Sequence, residues 1–126
     1  MSRRVAGIVT VALAAITLAG CAPTYDPEFE EFAGHRHPGT AVAPREVRLA
    51  GGTAVGVLVT NAGEWIDGDV SVDVAPRDAA IASADPWEDN SRIFILTGLA
   101  TGSTELDVSI DGTVYSTIPI TVFPQP

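Results

Sequence analysis

From Arg45 onward, apolar and polar residues alternate with a period of two. That is the repeat of a strand whose successive side chains point to opposite faces. Val70, Val72 and Val74 fall on one side of their run, with Asp69, Ser71 and Asp73 on the other. Leu106, Val108 and Ile110 stand against Glu105, Asp107 and Ser109 in the same way. Such runs belong to a sheet with one buried and one wet face. Val55, Val57, Val59, Ile93 and Ile95 extend the expected buried set. Leu58, Phe94 and Leu96 have the opposite parity, as on strands covered from both sides. Strands are expected at 46–49, 53–60, 69–75, 80–84, 92–97, 103–110 and 113–123, separated by Gly, Pro, Asp, Asn and Thr. No stretch carries a sustained helical stripe.

The sharpest local signal is Ile110-Asp111-Gly112-Thr113. Asp-Gly suits a two-residue turn that needs positive φ at both central positions, so the last two strands should form a tight hairpin. Pro119 cannot donate to a ladder, which predicts an edge strand or a nitrogen facing outward. Seven short strands across 45–126 predict an all-β, two-sheet sandwich.

The pattern is different upstream. Residues 22–44 hold Pro23, Pro27, Pro38 and Pro44, the acidic cluster Asp26, Glu28, Glu30 and Glu31, and no steady periodicity. Little apolar surface and much charge predict a disordered, flexible acidic tether over 21–44, with a typical span of about 25–30 Å. Tyr25, Phe29 and Phe32 are its scattered aromatics, available to lipid or a partner.

Residues 5–18 form an apolar run behind Arg3 and Arg4. Its 14 residues fall short of the roughly 20 that cross a bilayer as a helix, and match the apolar region of a signal peptide over 1–20. Leu18-Ala19-Gly20-Cys21 follows at once, and resembles the lipobox of bacterial lipoproteins. The resemblance implies cleavage before Cys21, palmitate-type acylation of that thiol, and a lipid anchor on the extracytoplasmic side of a membrane. This would be the cell membrane, or the outer membrane where two membranes exist.

A second resemblance covers residues 45–123. Val47-Arg48-Leu49-Ala50-Gly51-Gly52-Thr53 is similar to the opening of bacterial immunoglobulin-like domains of group 2, the invasin/intimin type. Ile95 to Val108 resembles that family's strand, glycine turn and Thr-rich strand, Ile81-Ala82 stands in place of its Val-Ala pair, and Ile118-Pro119-Ile120-Thr121-Val122 fits its last strand. The resemblance implies that the seven-stranded sandwich is immunoglobulin-like. Where the family often has a tryptophan followed by serines, this chain has Val74-Ala75-Pro76-Arg77. Domains of that family usually occur in tandem as stalks; one copy does not project far.

Charge narrows the partners. The chain has seven arginines, no lysine and sixteen acids. Removal of 1–20 leaves five arginines against all sixteen acids, a net charge of −11. Such a surface favours a soluble monomer and excludes nucleic acid, whose phosphates need clustered cations.

Chemistry is sparse. Both histidines, His35 and His37, lie in the expected tether, and the one cysteine is the expected acylation site, so no nucleophile–base pair has a framework. Two alternate histidines without a fixed carboxylate make a poor metal site, and no cofactor is expected. The acidic loops 61–69 and 85–90 read as solvated turns, since neither has the spacing of a calcium loop. Their tryptophans, Trp65 and Trp87, are candidate partner-binding anchors or caps folded over the sandwich end. The expected role is a non-enzymatic, membrane-anchored module that presents one sandwich to an envelope protein or glycan. The alternative is a small inhibitory lipoprotein that blocks phage entry, a protease or a transporter at the membrane surface.

Overall fold

The computed structural model describes residues 25–34, 38–62 and 70–125. Cys21, the apolar run, His35, His37 and Trp65 lie outside the described residues. Among the described residues there are nine strands: β1 (Glu28–Gly34), β2 (Ala41–Ala43), β3 (Glu46–Ala50), β4 (Ala54–Thr60), β5 (Val72–Pro76), β6 (Ala82–Trp87), β7 (Asn90–Gly98), β8 (Gly102–Ile110) and β9 (Thr113–Phe123). They form a four-stranded sheet in the order β1-β4-β7-β6 and a five-stranded sheet in the order β2-β3-β9-β8-β5. The protein is an all-β sandwich. Among the described residues no helix is long and apolar enough to cross a membrane.

Val47, Leu49, Leu106, Val108, Ile110, Ile118, Ile120 and Val122 line the inner face of the larger sheet, and Val55, Val57, Val59, Phe94 and Leu96 that of the smaller. The alternation in β5 and β8 therefore points the way the sequence implies. In β7 it is reversed. Val57 pairs with Phe94 and Val55 with Leu96, so these two face the core while Ile93 and Ile95 face outward. Ile93 is nonetheless buried, apart from the main core cluster. Both parities of β7 are apolar because both of its faces are covered near Ile93.

The expected tether needs correction. All seven expected strands exist, but β1 and β2 arise from residues assigned to a disordered segment. β1 pairs with β4 from Glu28↔Thr60 to Gly34↔Val55, with a bulge between Glu31 and Ala33. Phe29 enters the core. The Ser116 hydroxyl donates to the Pro27 carbonyl at 2.9 Å, joining the start of β1 to the opposite sheet. An edge strand needs few apolar anchors, and carboxylates along it discourage pairing with another chain. Those two traits made β1 look like linker.

Ile110 pairs with Thr113 across Asp111 (φ 51°) and Gly112 (φ 86°), the positive-φ two-residue turn that Asp-Gly favours. Asp111 accepts from the Ser71 amide through its carboxylate at 2.9 Å and donates its own amide to the Ser71 carbonyl at 2.8 Å. Pro119 is not on an edge: β9 lies between β3 and β8, and pairing with β3 begins one residue later, at Ile120. Gly98 serves close approach. A Cβ there would lie 2.9 Å from the Ala50 carbonyl oxygen and 3.0 Å from Val122.

Two phenylalanines in β1 separate fold from surface. Phe29→Ala should cost about 3–5 kcal/mol in urea unfolding, as for a buried aromatic. Phe32→Ala should cost no more than about 1.5 kcal/mol, the scale of an exposed ring pair. Equal small losses at both positions would show that β1 is not part of the cooperative unit.

Candidate functional site

The outer faces of the two sheets differ in chemistry. On the larger sheet, Glu105 and Asp107 project from β8. Arg77, which follows β5, donates to both: to Glu105 at 3.0 Å, and to Asp107 at 3.1–3.2 Å. Thr117 of β9 adds a bond to Asp107 at 3.1 Å. The hydrogen bond from Arg77 holds the Asp107 carboxyl below its ordinary value, with the Thr117 bond acting in the same direction against partial desolvation. On the same sheet, the Arg48 guanidinium lies 5.7 Å from the centre of the Phe123 ring. On this face Glu105 and Asp107 are paired, while exposed Glu46 and Asp73 have no arginine partner among the described residues.

The smaller sheet presents aromatics instead. Phe32 at the β1 bulge is 48% exposed and Trp87 at the end of β6 is 37% exposed. Their rings meet edge to face, with centroids 5.2 Å apart. Half-buried Leu58 and Ile95 and buried Ile93 belong to the same outer face. Exposed Glu30, Asp85, Glu88 and Asp89 lie on the flanking strands and the hairpin turn, and no arginine among the described residues bonds to any of them. The face is a small apolar surface with an uncompensated acidic border. Phenylalanine and tryptophan in such a setting supply large contact area with few rotors.

Of the sequence-predicted site residues, only Trp87 falls within the described residues. The loop 85–90 is largely strand: β6 ends at Trp87, β7 begins at Asn90, and Trp87 pairs with Asn90 across Glu88-Asp89. Trp87 does not cap the core; it lies on the sheet's outer surface against Phe32. In the sequence Phe32 is one of three scattered aromatics available to lipid or a partner, with nothing to single it out. Its partnership depends on β1 joining the sheet, which the pattern of 22–44 does not disclose. Among the described residues no three of His, Cys, Asp and Glu gather where they could hold a metal ion.

No protein-family model matches the chain, and no curated protein matches it. Among solved structures the chain is similar to the crystal structure of the S-layer protein SbsC domains 4 and 5. Sequence identity is 17% and the TM-score 0.46, over 78% of this chain and 54% of that one. The chain spans about half the length of that structure.

The Arg77–Asp107 pair yields a pH prediction. A carboxyl whose value is lowered on folding contributes stability above its unfolded value, and that contribution disappears as pH falls through the lowered value. Arg77→Gln should therefore lose stability at neutral pH, by a small amount because the pair is solvent-screened. The difference from the parent protein should shrink as pH falls below the ordinary aspartate value of 3.8 and vanish once pH is below the lowered value. A gap that persisted unchanged at pH 2–3 would mean that Arg77 acts through packing rather than charge.

Proposed function

We propose that this protein is a lipid-anchored extracytoplasmic module that presents a single immunoglobulin-like sandwich to an envelope partner, with the Phe32–Trp87 face as its contact surface. The observation that carries the anchoring is the order of the N-terminal signals: arginines, an apolar run too short to span, then Leu18-Ala19-Gly20-Cys21. Fatty chains on Cys21 hold the protein at the membrane, since each buried methylene contributes roughly 0.8 kcal/mol and two or more chains anchor stably.

Strand order supports the immunoglobulin-like reading. In order across the sheet, β1, β4, β7 and β6 match the A, B, E and D strands of a constant-type immunoglobulin sheet, and β5, β8 and β9 match C, F and G. The unpaired acids around the aromatic pair support a protein partner with basic side chains, because cations gain both from carboxylates and from ring faces.

Two measurements test this reading. Cys21→Ser should abolish fatty-acid labelling and release the protein from the membrane fraction; an unlabelled protein that stays on the membrane would refute the anchor. A photo-crosslinking side chain at position 87 or 32 should give a discrete adduct in intact cells, while the same group at exposed Ser103 should not. Absence of an adduct at both aromatic positions would remove the sheet face from the proposal.

A further inference from the structure

If Cys21 is acylated, its distance to the folded module is set by very little chain. Tyr25 already packs edge to face on Tyr115, with ring centroids 5.2 Å apart. The Asp26 amide donates to the Asn61 carbonyl at 3.3 Å, Asp26 pairs with Arg45, and Pro27 receives Ser116. Only four peptide steps separate Cys21 from Tyr25, so their Cα atoms lie at most about 14 Å apart. The headgroup layer alone is about 5–8 Å deep.

The strand registers assign the two ends of the sandwich. Glu28 pairs with Thr60, Leu58 with Ile93, and Pro86 with Phe94, so the beginnings of β1 and β7 and the ends of β4 and β6 lie together. The Ser116–Pro27 bond brings the Asp111-Gly112 hairpin, Val114 and Tyr115 to that same end. The Gly98–Gly102 turn, Leu99, the Gly51-Gly52 turn and Phe123 gather at the other, where the Gly52 amide donates to Gly98 and the Gly51 amide to Phe123. Phe32 is seven residues beyond Tyr25, so the Phe32–Trp87 pair rises no more than about 25 Å above Tyr25, and no more than about 40 Å above the anchor.

We infer that the acylated protein stands on the end that carries Tyr25, Tyr115 and Val114, which keeps the Phe32–Trp87 face beside the bilayer and makes its partner the extracytoplasmic part of a membrane-embedded or membrane-anchored protein. The inference rests on the lipoprotein reading above. A partner fixed in the distant envelope does not reach this face; one that projects from the same bilayer does.

Val114 is 50% exposed and Leu99 is 52% exposed, so both accept a reporter without disturbing the core. Because Cys21 would be blocked by lipid, Val114→Cys or Leu99→Cys provides a unique thiol in the full acylated protein. The fluorophore-labelled variants are reconstituted in phosphatidylcholine vesicles that contain a headgroup-labelled acceptor lipid. Transfer should be at least about twofold stronger from position 114 than from 99, given the roughly 25 Å of strand between their levels. Insertion of about ten Gly/Ser residues between Cys21 and Tyr25 should erase most of the difference. Equal transfer from the two positions, or a difference that survives the insertion, in protein that floats with the vesicles would overturn the orientation while leaving the anchor intact. Protein that does not float and carries an unmodified Cys21 would overturn the anchor and the orientation with it.

Discussion

The arrangement depends on how the N-terminal strand closes the sandwich. Pro27 accepts a hydrogen bond from Ser116, 89 positions away in sequence and on the opposite sheet. Tyr25 packs on Tyr115 beside it, and Phe29 enters the core two residues later. A domain of this size has little burial to spare, and the one cysteine of the chain leaves no internal disulfide to supplement it. β1 therefore acts as structure: it covers the edge of β4 and supplies a core aromatic. The same contacts decide where the chain leaves the fold.

How much of this could be read from the sequence follows from what each strand buries. β5, β8 and β9 bury one face and wet the other, and their alternation states the inner residues directly. The Asp111-Gly112 hairpin was legible because positive φ demands particular residues. β7 is apolar on both parities, so the pattern could not say which set faces the core; pairing with Val55 and Val57 decides it for Phe94 and Leu96. β1 was hidden for the opposite reason. It buries one aromatic between carboxylates, and its partner β4 is more than twenty residues away. Trp87 was noticed as an aromatic among acids, but its pairing with Phe32 is a product of that same hidden strand.

Electrostatics separates the two outer faces further. Arg77 sits where one guanidinium reaches Glu105 and Asp107 at once, and Arg45 reaches Asp26 and Glu28. These exposed pairs contribute little to stability individually. Their larger consequence is placement: they use two of the few cations on acids of the larger sheet and of the β1 entry. Glu30, Asp85, Glu88 and Asp89 remain without an arginine partner, next to the only exposed ring pair among the described residues. A basic surface would gain there without first breaking an existing ion pair.

If Cys21 is acylated, the short connection between anchor and module also changes the energetics of recognition. A long flexible tether lets a domain sample a large volume and every orientation, and a partner must then supply the free energy of ordering it. A connection of a few residues removes most of that freedom before any encounter, so two proteins held in one bilayer meet with their relative height and tilt already restricted. The acidic character of the Tyr25 end, with Asp26, Glu88, Asp89 and Asp111, works in the same direction. Anionic headgroups repel it over about a Debye length, roughly 8–10 Å, which is comparable to the reach of the connection itself. Lipid pulling at Cys21 and charge pushing at the end of the sandwich would together hold the module just off the surface, with its aromatic face free at the side. A partner that reads this face then needs complementary shape and charge at one height, and a modest contact area is enough for binding between proteins confined to that layer.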